Sequence, residues 1–137
     1  MKYLLDTNVC VALINGKSQR VEANVLREIK GGSELIVSSV TVFELWYGVE
    51  KSQRKTENAQ RLVSFLAQYV SVISFDDEDA RFGGRIRAEL ESTGRTISHY
   101  DLLIAGQALR HKMTLVTANV REFNRVNSLA WEDWSKA

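Results

Sequence analysis

Tyr3-Leu4-Leu5-Asp6-Thr7-Asn8, running into Val9-Cys10-Val11-Ala12-Leu13-Ile14, is the stretch on which the reading of this chain turns. Three apolar residues in a row make a short buried strand, and the second apolar stretch reads as the helix that follows it. Between them stands Asp6, directly at the strand end. Either Asp6 or Asn8 can cap the helix, and Asn8 is the better placed of the two. That leaves a second role open for Asp6, as a metal ligand, because hard cations take carboxylate oxygens.

Outward from this start the pattern repeats. Leu35-Ile36-Val37, Val72-Ile73 and residues 114–117 read as further strands, and residues 129–131 as a terminal one. Helical faces fall between them, over residues 21–29, 41–49, around 62–69, over 76–91 and over 100–109. Gly31-Gly32 stops the second helix. Four acids among residues 76–79 and their neighbours suit a helix N-terminus, where the macrodipole favours negative charge. Strands alternating with helices predict right-handed crossovers and a parallel sheet of four or five strands. In such sheets reactive groups gather outside the carboxyl ends of the strands.

With 137 residues, 45% of them hydrophobic and 26% charged, the chain has the size and composition of one soluble domain over residues 1–137. Cys10 is the only cysteine, so no bridge forms within the chain. It reads as a small buried hydrophobe in a reducing cytoplasm. Neither a conventional secretory signal nor a membrane-length apolar run is visible. A net charge of +1 says nothing about partners. Three local basic groups stand out, around Arg81, Arg85, Arg87 and Arg95, at Arg110-His111-Lys112, and at Arg121 and Arg125; each is either a solvated helix face or part of a nucleic-acid footprint.

Three more positions invite chemistry. Glu44 lies in the otherwise apolar Val42-Phe43-Glu44-Leu45-Trp46, and a charge is rarely buried without a partner. It either pairs with an arginine or lies on the exposed stripe of its helix. Ser98-His99-Tyr100-Asp101 fits a capping box in which Asp101 reaches back to the Ser98 amide. The apolar Leu102-Leu103-Ile104-Ala105 that follows sets Asp101 deep in the fold. Thr117-Ala118-Asn119 closes the fourth strand, as a turn or as a neutral supplement to the acids.

Together these pieces resemble a PIN-domain ribonuclease of the VapC toxin type. The matching segments are Leu4 to Asn8, SSVTVFELWYG (38–48), GRIRAEL (84–90), DLLIAGQA (101–108) and TLVTANVREF (114–123), in order over essentially the whole chain. The resemblance implies a three-layer α/β/α sandwich, with Asp6, Glu44 and Asp101 converging at the sheet edge to hold Mg²⁺ or Mn²⁺. The fourth family position, often acidic, falls on Asn119, with Thr117 and Asn8 in support. The set expected from sequence is therefore three carboxylates and a neutral fourth position. Ser98-His99-Tyr100 stands where relatives commonly carry a Gly-Pro, and His99 reads as a solvated helix start, with RNA contact or proton transfer as its alternative.

The implied chemistry is hydrolysis of RNA phosphodiesters by metal-activated water, without a covalent enzyme intermediate. The substrate expected is single-stranded or looped RNA, with tRNA and mRNA both open. Arg85, Arg87 and Arg121 are the candidate phosphate contacts. The resemblance further implies translation inhibition, control by a cognate VapB-like antitoxin inserted into the acidic site, a homodimer, and assembly of toxin with antitoxin on DNA. Trp46 and Tyr47 read as core, with a dimer seam or antitoxin groove as their alternative. A non-catalytic PIN-like module that binds RNA or protein is the competing reading, kept open by Asn119.

Overall fold

β1 (Lys2–Leu5) lies at the centre of the sheet because its residues are apolar toward both faces. Tyr3 and Leu5 point to one side and Leu4 to the other, as the alternation of a strand requires. The structure, a computed structural model, describes residues 1–136. Its sheet runs β3 (Ser71–Ile73), β2 (Glu34–Ser38), β1, β4 (Thr114–Val116), β5 (Trp131–Glu132), with every neighbouring pair parallel. The same alternation holds in β2, where Leu35 and Val37 oppose Ile36, and in β4, where Val116 opposes Leu115.

Each face buries its own core, which makes the molecule three layers. On one side Tyr3, Leu5, Leu35, Val37 and Val116 pack against α1 (Thr7–Asn15), α2 (Gln19–Lys30), α3 (Ser39–Glu50) and α4 (Lys55–Gln68). On the other, Leu4, Ile36 and Leu115 meet α5 (Asp77–Ser92) and α6 (His99–His111), with Phe123 from the short α7 (Val120–Phe123). Leu4, Leu5 and Leu115 have no exposed surface. Burying a side chain of that size is worth about 1.5–3 kcal/mol, so the central strands are strongly held.

Helix α5 starts where its acids place it. Asp76 accepts from the Glu78 and Asp79 amides, and the Asp79 carboxylate accepts from the Asp76 amide, a reciprocal capping box. Asp79 is fully buried and also accepts from Gln107 Nε2 at 3.0 Å and Arg110 Nη1 at 3.1 Å. Arg110 and His111 are therefore turned inward on α5 acids, and the second basic group of the sequence is not a free patch. Helices α5 and α6 cross at Gly83 and Gly106. A Cβ added at Gly106 would stand 2.5 Å from the Gly83 nitrogen and 2.8 Å from its Cα. Glycine at both positions lets the backbones touch, which fixes where α6 lies against α5.

Element boundaries differ from the sequence reading in instructive places. α1 begins at Thr7, two residues earlier than expected, because Asp6 caps it. The terminal strand is Trp131–Glu132, later than residues 129–131. Ser128 takes a left-handed φ of 68° and Leu129 packs on the α5–α6 core, so the chain turns before it pairs. Cys10 is buried, and burial pushes its thiol up, as suits a core residue. Among the described residues no helix is long and apolar enough to cross a membrane.

Candidate active site

The strand order has one switch point. From β1 the chain moves outward through β2 to β3, then returns to the other side of β1 for β4 and β5. The crevice between the carboxyl ends of β1 and β4 is where an open α/β sheet leaves room for a ligand. Asp6 follows β1 at that point, and its amide donates to Val116 O at 3.0 Å, extending the ladder by one bond. Thr117 and Asn119 follow β4.

Asp6 is buried and held from two sides. One carboxylate oxygen accepts from the Asn8 amide at 3.1 Å, which makes Asp6 the N-cap of α1. The other accepts from Thr117 Oγ1 at 2.5 Å, across the switch point. The expectation that Asn8 would do the capping is thus corrected. Asn8 contributes its backbone N–H, and its side chain stands exposed on the first turn. Burial raises the Asp6 pKa, against the lowering effect of the Thr117 and backbone hydrogen bonds. A carboxylate fixed by a cap and a threonine keeps its orientation while remaining costly to ionise.

Asp101 enters from the first turn of α6. Ser98 is the N-cap and accepts from the Asp101 amide at 3.3 Å, as the sequence suggested. The Asp101 carboxyl group turns instead toward the strand end after β4. There Asn119 Nδ2 donates to it at 3.4 Å, and it shares a hydrogen bond with Glu122. Asn119 Nδ2 also donates to Glu122 at 3.1 Å, and the Asn119 amide donates to Thr117 Oγ1 at 2.9 Å. Thr117 and Asn119 therefore stitch three acids together.

Glu122 is the residue the sequence reading missed. It lies one turn beyond Asn119 on α7, so a four-residue helix aims both side chains the same way. Burial, with the Glu122 hydrogen bond and charge behind it, pushes the Asp101 carboxyl up to about 7. Glu122 is lowered, first by its hydrogen bond with Asp101. Two carboxyl groups in contact cannot both ionise cheaply, so the pair shares one proton, carried by Asp101. Beside Asn119, the neutral fourth position expected from sequence, the structure sets a further carboxylate, Glu122.

Glu44 is tied in at one remove. It is half-buried on α3, and Thr7 Oγ1, next in sequence to Asp6, donates to it at 2.7 Å. Beside it a cavity of about 220 Å³ opens between α1, α3 and α4, lined by Thr7, Ile14, Glu44, Gly48 and Leu62 among others. No arginine partner binds Glu44 among the described residues, against one of its two readings. Of the candidate phosphate contacts, Arg87 lines a shallow cleft of about 50 Å³ with the exposed His99 at the start of α6, its guanidinium 3.0 Å from Glu91. Arg85 lies over the Phe82 ring, and Arg121 is exposed next to Glu122. Trp46 packs against the core, whereas Tyr47 is exposed.

The donor set suits a hard divalent ion. Asp6, Asp101 and Glu122 offer oxygens only; burial raises the Asp6 and Asp101 pKa values, and the charges of the neighbouring acids add to it. A cation among them resolves by neutralisation the conflict that Asp101 and Glu122 otherwise resolve with a proton. Among the described residues no three such groups already stand at ion-gripping distance, so coordination would need rotation of the Asp101 or Glu122 side chain.

Comparison with known proteins agrees with this geometry. Residues 3–129 match the PIN domain family. Ribonuclease VapC2 of Rickettsia felis is 40% identical over 136 residues, 99% of this chain and 100% of that protein. The tRNA(fMet)-specific endonuclease VapC of Shigella flexneri is 39% identical, over 98% and 99% of the two chains. The structure of VapBC2 from R. felis bound to a promoter DNA fragment superposes with a TM-score of 0.92 at 38% identity, covering 98% of this chain and 99% of that one. DNA-bound VapBC from Salmonella typhimurium superposes at 0.90 and 34%, covering 98% of each. With a parallel sheet, acids gathered at its switch point and full-length likeness to these proteins, the chain belongs to the VapC ribonucleases of the PIN-domain family.

Proposed function

We propose that residues 1–137 act as one cytoplasmic nuclease domain, a Mg²⁺- or Mn²⁺-dependent endoribonuclease and the toxin of a toxin–antitoxin pair. The observation that carries this reading is the gathering of Asp6, Asp101 and Glu122 from three separate elements at the switch point, with Glu44 joined through Thr7. Asp6, Asp101, Glu44 and Glu122 would hold the ion, with Asn119 and Thr117 orienting them. When bound, the ion lowers the pKa of a water and neutralises charge on the phosphoryl oxygens. Thr117 holds one Asp6 oxygen in place, so the remaining lone pairs of that carboxylate face a constant direction. Asp101 would give up its proton to solvent on taking the ion, Glu122 would enter as a carboxylate, and Asn119, donating to both, would keep the pair together.

The non-catalytic reading rests on a neutral Asn119, and the Glu122 carboxylate beside it weighs toward the catalytic one. RNA as the substrate class follows the likeness to relatives named as ribonucleases and as a tRNA(fMet)-specific endonuclease. A VapB-like antitoxin and assembly on promoter DNA follow the likeness to VapBC complexes bound to DNA, and a homodimer is what the family resemblance implies. Cleavage of RNA by the purified protein with Mg²⁺ or Mn²⁺ tests the proposal, set beside Asp6→Ala and Asp101→Asn. Both variants should lose at least a hundredfold in rate. Equal activity in all three would mean that a contaminant, not this site, cuts the RNA.

A further inference from the structure

Thr7 stands between two acids of the site. As the first residue of α1 it follows Asp6 in sequence, and its backbone N–H is among the donors that face the Asp6 carboxylate. Its hydroxyl turns the other way, across to α3, and donates to Glu44 Oε1 at 2.7 Å. That is the one side-chain hydrogen bond of Glu44 among the described residues. Thr41 Oγ1, one turn before Glu44 on the same face of α3 and fully buried, lies 3.4 Å from the Thr7 hydroxyl. A hydroxyl has one proton to give and lone pairs to receive. The Thr7 proton goes to the carboxylate at the shorter distance, which leaves the Thr41 hydroxyl to donate to Thr7.

We infer that Thr7 is the positioning residue for Glu44: its hydroxyl fixes one carboxylate oxygen and leaves the other to the ion. The inference rests on the metal-dependent reading above and names what sets one of its ligands in place. Helix formation gives no reason for a threonine here. A β-branched side chain is a poor helix former, and the capping that a threonine hydroxyl can offer is already done by Asp6. Glu44 does need a partner. Its carboxylate hangs on a chain of rotatable bonds beside the cavity between α1, α3 and α4, where Val11, Ile14 and Leu62 offer it nothing to bind. Because the N–H and the hydroxyl belong to one residue, Thr7 also sets the Glu44 carboxylate relative to that of Asp6. Thr117 treats Asp6 in the same way from the end of β4. Groups that orient metal ligands from behind are typically worth about 10–100-fold in metal affinity.

The test is calorimetric titration of Mn²⁺ into the full-length protein and three variants, Thr7→Val, Thr7→Ser and Thr7→Ala, each with its urea stability measured alongside. Valine keeps the bulk of threonine without the hydroxyl, serine keeps the hydroxyl without the bulk, and alanine lacks both. A positioning role sorts Mn²⁺ affinity by the hydroxyl. Thr7→Val and Thr7→Ala should then bind at least about tenfold more weakly than wild type, and Thr7→Ser should stay close to wild type. RNA cleavage at subsaturating Mn²⁺ should sort in the same order. A merely structural role sorts affinity by bulk and stability instead, with Thr7→Val near wild type and Thr7→Ser falling with Thr7→Ala. That pattern would overturn the inference, as would equal affinity in all four proteins. Serine against alanine and threonine against valine each isolate the hydroxyl, so either pair decides if one variant fails to fold. Mn²⁺ binding by wild type with no effect of Thr7→Val would sink the role of Thr7 alone; no Mn²⁺ binding and no cleavage by wild type would sink the metal-dependent reading with it.

Discussion

Gly106→Ala should loosen the molecule and the site together, although Gly106 touches neither ion nor substrate. The new methyl would stand 2.5 Å from the Gly83 nitrogen, about 0.9 Å inside the 3.4 Å of ordinary contact, with Gly83 Cα at 2.8 Å and Asp79 O at 3.1 Å. All three are backbone atoms, so no rotamer can clear them and α5 and α6 must separate. Overpacking of this kind costs about 1–3 kcal/mol, and the rigid neighbours put it near the top of that range. Alanine regains about 1 kcal/mol of helix propensity over glycine, which leaves a net loss of about 2 kcal/mol. Asp101 lies five residues earlier on α6 and moves with it, so cleavage should fall more than stability does. Urea denaturation measures the first effect and RNA cleavage in Mn²⁺ the second. Gly84→Ala is the matched control, because nothing lies within 4 Å of its Cβ position. It should gain up to about 1 kcal/mol and leave activity alone. A Gly106→Ala protein within about 0.5 kcal/mol of wild type, below the range for overpacking, would refute the claim that the helix crossing sets the position of α6.

Other perturbations reach the network by different routes. Thr117→Val removes the hydroxyl that donates to Asp6 and accepts from the Asn119 amide. It should cost about 1–3 kcal/mol, the range for a buried partner left unpaired, and raise the Asp6 pKa further, read by urea denaturation and by carboxyl NMR titration. Asp79→Ala strips the buried acid from Arg110, Gln107 and the Asp76 amide. Breaking a buried pair costs about 3–5 kcal/mol, and Arg110 can partly rehydrate, so a loss near 3 kcal/mol is expected in thermal or chemical unfolding. Asp101 supplies the pH dependence. Its folded pKa, about 7, lies above the ordinary 3.8, so the folded state holds the proton more tightly than the unfolded chain. The stability this confers is complete below the unfolded pKa and is lost as pH rises toward 7. In EDTA the wild type should therefore be less stable at pH 7.5 than at pH 5 by a larger margin than Asp101→Asn. Parallel pH dependence in the two proteins would contradict the shared proton.

Most of this architecture was legible in the sequence for simple reasons. Leu4-Leu5, Ile36-Val37 and Leu115-Val116 are apolar toward both faces, which only strands buried between two layers tolerate. The acids after residue 75 announced a helix start because capping needs them there. Asp6 was legible as a strand-end acid, but its capping role was assigned to Asn8, since side chains of both types cap and only geometry shows which oxygen faces the amide. Glu122 escaped because α7 is four residues long, too short for a hydrophobic period, and an acid beside Arg121 looks like ordinary surface. Its one signal was the spacing of three from Asn119, which has meaning only once that segment is known to be helical. Trp46 and Tyr47 were legible only as a pair, core or surface together, because which of two adjacent aromatics faces outward depends on how α3 is rotated against the sheet.

Calorimetric titration of Mn²⁺ into the full-length protein tests the central claim most directly, namely that Asp6, Asp101 and Glu122 form one cation site. Repeating it near pH 6.5 in two buffers of different ionisation enthalpy counts the protons released. Wild type should bind Mn²⁺ and release a proton from the Asp101–Glu122 pair, and Asp101→Asn should bind at least tenfold more weakly with no release. Glu122→Gln should weaken binding as well. Unchanged affinity and proton release in both variants would contradict the account.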